Sequence, residues 1–167
     1  MAWYTSGKLW SFVGGIGATV IGVRRSPAPD PEAADRVLPA SEIDEILPLA
    51  DHLASFLPSG PETEKLLGAR RLAMMKPGAF LYNFGRGNLL DEEALAAALR
   101  RNALAGAVLD VFREEPLPAD SPLRDAPNCF LYPHASAFAP DYLDLYFAKA
   151  AAEIRQTHAE SQSPDVR

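Results

Sequence analysis

Five short apolar runs, separated by helical patterns, constrain the fold of this chain more than any other feature of its sequence. The runs cover residues 18–23, 53–57, 79–82, 107–111 and 130–132. Each is too short for a buried helix, and several end in Gly, Pro, Asn or Asp, which are typical of turns. Strands that alternate with helices form parallel sheets. The sequence therefore predicts an α/β fold with a parallel sheet and flanking helices.

Helical patterns fill the segments between these runs. The clearest covers residues 91–101, where Asp91 can cap the helix and two acidic residues follow at the positive end of its dipole. A second helix is predicted over residues 41–50 and should be shortened by Pro48, which lacks a backbone N–H. Further helical segments are predicted over residues 63–67, 69–75 and 140–159.

The size of the chain predicts how many domains it forms. With 167 residues, of which 48% are hydrophobic, it can build one core of ordinary size. We therefore expect a single domain over residues 1–167, with a degenerate first strand and glycine turn in 1–17, a core in 18–160 and a frayed tail in 161–167. Proline-rich linkers are predicted over residues 26–31 and 115–127.

Charge and cysteine content argue against several classes of partner. The net charge is -6 and the basic residues form no stripe, so neither nucleic acid nor a membrane surface is expected as a partner. The one cysteine, Cys129, can form no internal disulfide, which fits a reducing cytoplasm. The nearly uncharged residues 9–23 are too short to span a bilayer and are followed by no signal cleavage site. We expect a cytoplasmic protein, and we predict no metal site.

Polar side chains follow the predicted strands where these end. Arg86 lies between two glycines after the third run, and His134 follows the fifth. Asp110 lies near the end of the fourth run, and Glu115 follows that run. Ligands of open parallel sheets bind at this edge. A guanidinium, a carboxylate and an imidazole suit the binding of an oxo acid and the movement of a proton. From the residues alone, Gly-Arg-Gly is also a common solvated turn, a lone histidine is often structural, and Glu115 is not distinguished from Glu114.

Short motifs follow one another in a characteristic order. They are LPSGPET at 57–63, MKPGA at 75–79, NFGRG at 83–87, DEEAL at 91–95, LAGAVLDVF at 104–112, EPL at 115–117 and PH at 133–134. In this order they resemble the cofactor-binding domain of the D-isomer-specific 2-hydroxyacid dehydrogenases. The resemblance implies a Rossmann-like parallel sheet, NAD(P) as cofactor, and hydride transfer between the nicotinamide and a small 2-oxo or 2-hydroxy acid such as glyoxylate or hydroxypyruvate.

The resemblance also implies a role for each matching residue. Arg86 would bind the carboxylate and carbonyl of the 2-oxo acid, and His134 would be the general acid that protonates the carbonyl oxygen. Glu115, rather than Glu114, would raise the pKa of that histidine. Asp110 would contact the nicotinamide carboxamide. The other cofactor contacts are expected from Leu57, Pro58, Phe84, Gly85, Arg86 and His134.

The sequence departs from the family in its first strand-helix unit. In the family, a strand leads through Gly-x-Gly-x-x-Gly into a helix that binds the pyrophosphate. Here residues 9–13 are predicted as that strand and residues 14–17 (GGIG) as a remnant of the turn, with no helix before the next strand. We therefore expect a fold truncated at its N-terminal βα unit, with weakened cofactor binding. The family's substrate domain is also expected to be missing.

Arg24, Arg25 and Ser26 stand where an acidic residue would bind the ribose hydroxyls of NAD. This basic segment could accept the 2′-phosphate of NADP, which slightly favours NADP, or form a solvated turn. Two functions stay open: an active dehydrogenase, and a non-catalytic remnant that binds cofactor or dimerises. Family members commonly dimerise through the cofactor domain, so the resemblance also allows a homodimer.

Overall fold

The computed structural model describes residues 17–25 and 34–136. The chain forms two compact units, Met1–Pro133 and His134–Arg167. Several predictions lie mostly or wholly outside the described residues, namely those for segments 9–13, 14–17, 26–31, 140–159 and 161–167. The single domain over residues 1–167 therefore stays a prediction.

Six strands form two parallel sheets in the described part of the first unit. The smaller sheet pairs β1 (Ile21–Arg24) with β2 (Arg36–Pro39). The larger sheet has the order β3 (His52–Ser55), β4 (Phe80–Asn83), β5 (Gly106–Leu109) and β6 (Cys129–Leu131). Every neighbouring pair in it is parallel. The predicted α/β class and parallel sheet are confirmed, and each of the five predicted strands is present with ends within three residues of the predicted ones.

Short helices connect the strands. The α-helices are α1 (Ile43–Ile46), α2 (Ala69–Leu72) and α3 (Glu92–Arg100). Single 3₁₀ turns precede them at Ala40–Glu42, Pro61–Thr63 and Gly87–Leu89. The third of these turns begins four residues after the end of β4 and leads toward α3.

Helix α3 begins and ends as its sequence predicts. The Asp91 side chain accepts a hydrogen bond from the Ala94 N–H at 3.1 Å, which satisfies one of the donors left open at a helix start. This bond, aided by the Lys65 ammonium, lowers the pKa of Asp91. At the other end, Asn102 has a left-handed backbone with φ of 55°, and the Ala103 N–H donates to the Ala98 carbonyl at 2.9 Å. Together these contacts close the helix.

The hydrophobic core lies on one face of the four-stranded sheet. Successive strand residues point to opposite faces, and Leu81 and Leu109 are fully buried in one cluster with Leu95 and Leu99 of α3. Burial of each such leucine stabilises the fold by about 1.5–3 kcal/mol. Helix α3 and strands β4 and β5 therefore contribute to one common core.

The opposite face of the same sheet carries a row of aromatic rings. Phe80, Tyr82 and Phe84 alternate along β4 and just beyond it, with ring centroids 6.4 Å and 6.5 Å apart. Phe84 also stacks on Phe56 at 5.7 Å. Phe130 of β6 lies on this face and is 53% exposed. This side of the sheet is thus aromatic and partly open to solvent.

Strand β2 corrects the sequence analysis, which predicts no strand there. It is four residues long, with one buried residue, Leu38, and an exposed Arg36. Its last residue is Pro39, which has no N–H to donate and is tolerated at the edge of a sheet. A short strand with a single buried side chain lacks the apolar run that identifies the others.

The predicted helices other than α3 are shorter than expected. The segment 41–50 contains only α1 and part of the 3₁₀ turn before it, and the segment 69–75 is helical only to Leu72. The helix predicted over 63–67 is wrong. The turn at Pro61–Thr63 stops because Glu64 is extended, with ψ of 118°, and Lys65 is left-handed, with φ of 47°.

Candidate active site

Predicted site residues lie at the carboxyl ends of β3, β4 and β5, which meet at one edge of the parallel sheet. Leu57 and Pro58 follow β3, Gly85 and Arg86 follow β4, and Asp110 comes directly after β5. This is the edge at which open parallel sheets bind their ligands.

The loop that carries Arg86 is held by Asn83, the last residue of β4. Asn83 is 0% exposed. Its Nδ2 donates to the Arg86 carbonyl at 3.0 Å, and its Oδ1 accepts from the Gly85 N–H at 3.2 Å. The Arg86 side chain is exposed, and its Nη1 donates to the Gly85 carbonyl at 2.7 Å. A guanidinium that can bind an anion therefore stands on a loop with a fixed backbone.

The two glycines beside Arg86 allow its loop to touch its neighbours directly. A Cβ at Gly85 would lie 2.5 Å from the Leu57 carbonyl oxygen and 2.7 Å from the Leu57 nitrogen. A Cβ at Gly87 would overlap the peptide group between Phe112 and Arg113. Only glycine fits at these close approaches. The loop of Arg86 is thus packed between the segments that follow β3 and β5.

The segment after β5 carries two of the predicted carboxylates. Asp110 is 1% exposed, and its backbone N–H donates to the Asn83 carbonyl at 3.1 Å. Farther along, the Phe112 N–H donates to Glu115 Oε1 at 2.9 Å. The Arg113 N–H donates to Glu92 of α3 at 2.8 Å. These bonds give the Glu115 carboxylate a defined orientation on a segment anchored to α3.

His134 is the first residue of the second unit and follows the last residue of β6 by three positions. It is exposed, and its backbone is left-handed with φ of 53°. Residues other than glycine adopt this conformation infrequently, and such residues are concentrated at functional sites. The conformation agrees with a functional role for His134, and that role stays a prediction.

The basic segment at the carboxyl end of β1 is predicted to bind the ribose end of the cofactor. Arg24 is half-buried, and within the described ranges its Nε has no hydrogen-bond partner. Arg25 pairs with Glu62, with Nη2 3.5 Å from Oε1, and the two side chains are 82% and 57% exposed. Ser26 lies outside the described residues. The Arg25 guanidinium is exposed and, within the described part of the chain, is held only by its long ion pair with Glu62, so it can bind a phosphate group and the residues present are compatible with NADP.

The predicted departure from the usual nucleotide-binding unit falls mainly on residues before Gly17, which lie outside the described residues, so it stays a prediction. Gly17 has a positive φ of 87°, and the chain runs from it through three non-helical residues into β1. Residues 18–20 are thus an irregular connection that leads into β1. In the described ranges, no group of three or more His, Cys, Asp or Glu residues could hold a metal ion, and no helix could cross a membrane.

Sequence reasoning missed the residues that hold the site together. Asn83 and Gly87 appear in it only as parts of a motif, and Glu62 has no role there. The spacing of Asn83 three positions before Arg86 is a weak signal, because a side chain can bond to backbone at that distance. The pairing of Glu62 with Arg25 joins residues far apart in sequence and leaves no local signal.

Comparison with known proteins reveals a shared family. The family model "D-isomer specific 2-hydroxyacid dehydrogenase, NAD binding domain" matches residues 8–136. A glyoxylate/hydroxypyruvate reductase B from Pectobacterium carotovorum subsp. carotovorum is 50% identical over 93 residues, which are 56% of this chain and 29% of that protein. A D-isomer specific 2-hydroxyacid dehydrogenase family protein from Aeromonas salmonicida is 37% identical, with a TM-score of 0.80, over 93% of this chain and 51% of that chain.

A third relative carries a cofactor. It is a D-isomer specific 2-hydroxyacid dehydrogenase from Xanthobacter autotrophicus in complex with NADPH and MES, which is 37% identical with a TM-score of 0.68. The match covers 74% of this chain and 39% of that chain.

The fold and the strand-end residues define a dinucleotide-binding domain of the Rossmann type. The chain belongs to the D-isomer specific 2-hydroxyacid dehydrogenase family, a family of oxidoreductases acting on CH–OH groups, and matches its NAD-binding domain. It spans 51% of the Aeromonas chain, and the aligned part covers 29% of the Pectobacterium reductase. The resemblance found in the sequence is confirmed.

Proposed function

We propose that this chain is the cofactor-binding part of an NAD(P)-dependent oxidoreductase that transfers hydride between the nicotinamide and a small 2-oxo or 2-hydroxy acid. The observation that carries the proposal is the fixed loop of Arg86, whose exposed guanidinium stands at the ligand-binding edge of the sheet. A planar guanidinium binds a carboxylate through two parallel hydrogen bonds. The name of the Pectobacterium relative supports glyoxylate or hydroxypyruvate as the substrate.

The proposed roles follow the family resemblance. NAD(P)H, when bound, supplies the hydride. Arg86 binds and orients the acid, and His134 donates a proton to the carbonyl oxygen as the hydride arrives. Glu115 favours the protonated imidazole, and Asp110 contacts the carboxamide of the cofactor. The hydrogen bond from the Phe112 N–H to Glu115 supports this choice over Glu114, because it gives the Glu115 carboxylate a fixed orientation.

NADP is the proposed preference over NAD. Arg24 and Arg25 lie at the carboxyl end of β1, where the family contacts the ribose of the cofactor. The exposed guanidinium of Arg25, which among the described residues is held only by a 3.5 Å ion pair, supports a contact with the 2′-phosphate. The NADPH complex of the Xanthobacter relative supports the same choice.

A binding module without turnover is the second candidate function. It is favoured by the sequence, because the residues after the predicted glycine turn contain no helical pattern before β1 that would supply a pyrophosphate-binding helix start. A cytoplasmic location and a homodimer also belong to the proposal. The single half-buried cysteine, Cys129, supports the former.

A titration of the purified chain with NADPH and NADH, followed by nicotinamide fluorescence, tests the proposal. A dissociation constant in the micromolar range would support cofactor binding. If no binding is detected at millimolar cofactor, neither the dehydrogenase nor the cofactor-binding module can be correct. Oxidation of NADPH by glyoxylate or hydroxypyruvate then separates an enzyme from a binding module.

Variants test the assigned roles if turnover is found. His134→Ala should remove most turnover, whereas His52→Ala, which changes an exposed histidine at the start of β3, should not. Arg86→Ala should chiefly raise KM for the oxo acid, with Arg101→Ala, an exposed arginine after α3, as the control. Equal turnover of wild type and His134→Ala would contradict the mechanism.

Replacement of Glu115 by glutamine tests its electrostatic role. In the proposed mechanism reduction requires a protonated histidine, so activity should fall at alkaline pH. If Glu115 stabilises the protonated imidazole, loss of its carboxylate should move the falling limb of the pH profile for reduction to lower pH. An unchanged profile would show that Glu115 has no such role.

A further inference from the structure

We infer that Glu62 helps to determine the specificity for NADP or NAD. Its carboxylate forms an ion pair with Arg25 and so opposes the binding of a 2′-phosphate. The inference rests on the proposed binding of NAD(P) and deepens it. According to this inference, the preference between NADP and NAD depends on a residue of the segment after β3 as well as on the arginines at the carboxyl end of β1.

The turn that carries Glu62 is well anchored. The Thr63 N–H donates to the Gly60 carbonyl at 3.0 Å. The Thr63 hydroxyl, on a residue that is 7% exposed, lies 3.0 Å from both the Pro58 and the Gly60 carbonyls. A Cβ at Gly60 would lie 3.0 Å from Glu62 Oε2. The carboxylate of Glu62 therefore packs over Gly60 with one oxygen and faces Arg25 with the other.

The two arginines at the carboxyl end of β1 differ in what surrounds them. Arg24 has an Nε without a partner in the described ranges, whereas Arg25 is paired with Glu62 at 3.5 Å. Arginines at this strand end accommodate the 2′-phosphate of NADP in Rossmann folds. A carboxylate at the same place has the wrong charge for a phosphate. Glu62 thus competes with the ligand for the Arg25 guanidinium, and its negative charge repels the 2′-phosphate.

The pair is weak enough to be displaced. Both side chains are largely exposed, at 82% and 57%, and exposed ion pairs of this kind contribute little. A bound phosphate can compete for Arg25, so Glu62 should modulate the affinity for NADP without abolishing binding. Removal of its charge should increase the affinity for a 2′-phosphate about 3- to 10-fold, which corresponds to about 0.6–1.4 kcal/mol.

The experiment compares wild type with Glu62→Gln by isothermal titration calorimetry. The probe is adenosine 2′,5′-bisphosphate, and 5′-AMP, which lacks the 2′-phosphate, is the reference ligand. Glu62→Gln should bind the bisphosphate about 3- to 10-fold more tightly, with the affinity for 5′-AMP changed less than about 2-fold. High salt should reduce the difference, because it screens exposed charges.

Glu64→Gln is the matched control. It removes the same charge two positions away, from a carboxylate that pairs with Arg113 at 2.8 Å. It should leave the affinity for the bisphosphate unchanged. In the double variant Arg25→Ala with Glu62→Gln, the gain should disappear, because the released guanidinium is no longer present.

Three results would overturn the inference: no gain in Glu62→Gln, an equal gain in Glu64→Gln, or no bisphosphate binding to either wild type or Glu62→Gln. The probe carries no nicotinamide, so its binding does not depend on Arg86, Glu115 or His134. A gain in bisphosphate affinity without oxidation of NADPH would therefore leave the inference standing and refute only the proposed turnover.

Discussion

Replacement of Asn83 by alanine would measure how strongly a single buried amide stabilises the loop of Arg86. Asn83 is 0% exposed. Its side chain donates a hydrogen bond to the Arg86 carbonyl at 3.0 Å and accepts one from the Gly85 N–H at 3.2 Å. Alanine leaves the buried Gly85 N–H without a partner, which costs about 1–3 kcal/mol, and removes a further bond worth about 0.5–1.5 kcal/mol. We therefore expect the free energy of unfolding to fall by about 2–4 kcal/mol.

Urea unfolding followed by far-UV circular dichroism measures this change. Asn88→Ala is the matched control, because Asn88 makes one long bond to Thr63 at 3.5 Å and its buried Oδ1 has no partner within the described ranges. That substitution should lower the free energy of unfolding by less than about 1 kcal/mol, since it removes only one long hydrogen bond. If Asn83→Ala costs no more than Asn88→Ala, with similar m-values, the amide does not hold the loop and the reasoning is refuted.

Two further predictions concern titrating groups. Asp91→Ala should lower the free energy of unfolding at pH 7 by about 1 kcal/mol, and Asp91→Asn by less, because asparagine keeps the capping oxygen. The folded-state pKa of Asp91 lies below its usual value of 3.8, so its stabilisation is complete above that value and is lost as the pH falls through the folded pKa. Wild type and Asp91→Ala should therefore converge in acid, and a constant difference would contradict the assignment. Burial raises the pKa of Cys129 to about 11, and the thiolate is the reactive form. The native thiol should react with a disulfide reagent roughly 100-fold more slowly than the unfolded chain at mildly alkaline pH, and equal rates would show that the thiol is not protected.

The larger sheet could be predicted because each of its strands contains its own signal. Residues such as Leu81 and Leu109 belong to apolar runs that are buried by α3, and burial of this kind dominates stability. Asp91 identifies the start of α3 because a cap acts within one turn of the helix. These interactions are local in sequence or depend only on hydrophobicity, so a pattern is enough to reveal them.

The parts that could not be predicted depend on contacts between distant residues. β2 is held by pairing with β1 and has only Leu38 buried, so its sequence contains almost no strand signal. Gly87 matches a family motif, but its close approach to Phe112 becomes visible only when the two strand ends are side by side. The Arg25–Glu62 pair likewise joins the segments after β1 and β3.

The glycine contacts beside Arg86 also determine how this edge of the sheet can move. Because Gly85 lies against the Leu57 backbone and Gly87 against the Phe112 peptide, no side chain separates the three segments and none can rearrange to absorb a shift. A displacement of one segment must displace its neighbours, so the edge moves as one body or stays still. Hydrogen exchange at the Gly85 amide, which is bonded to Asn83, should therefore need a concerted opening of the segments after β3, β4 and β5.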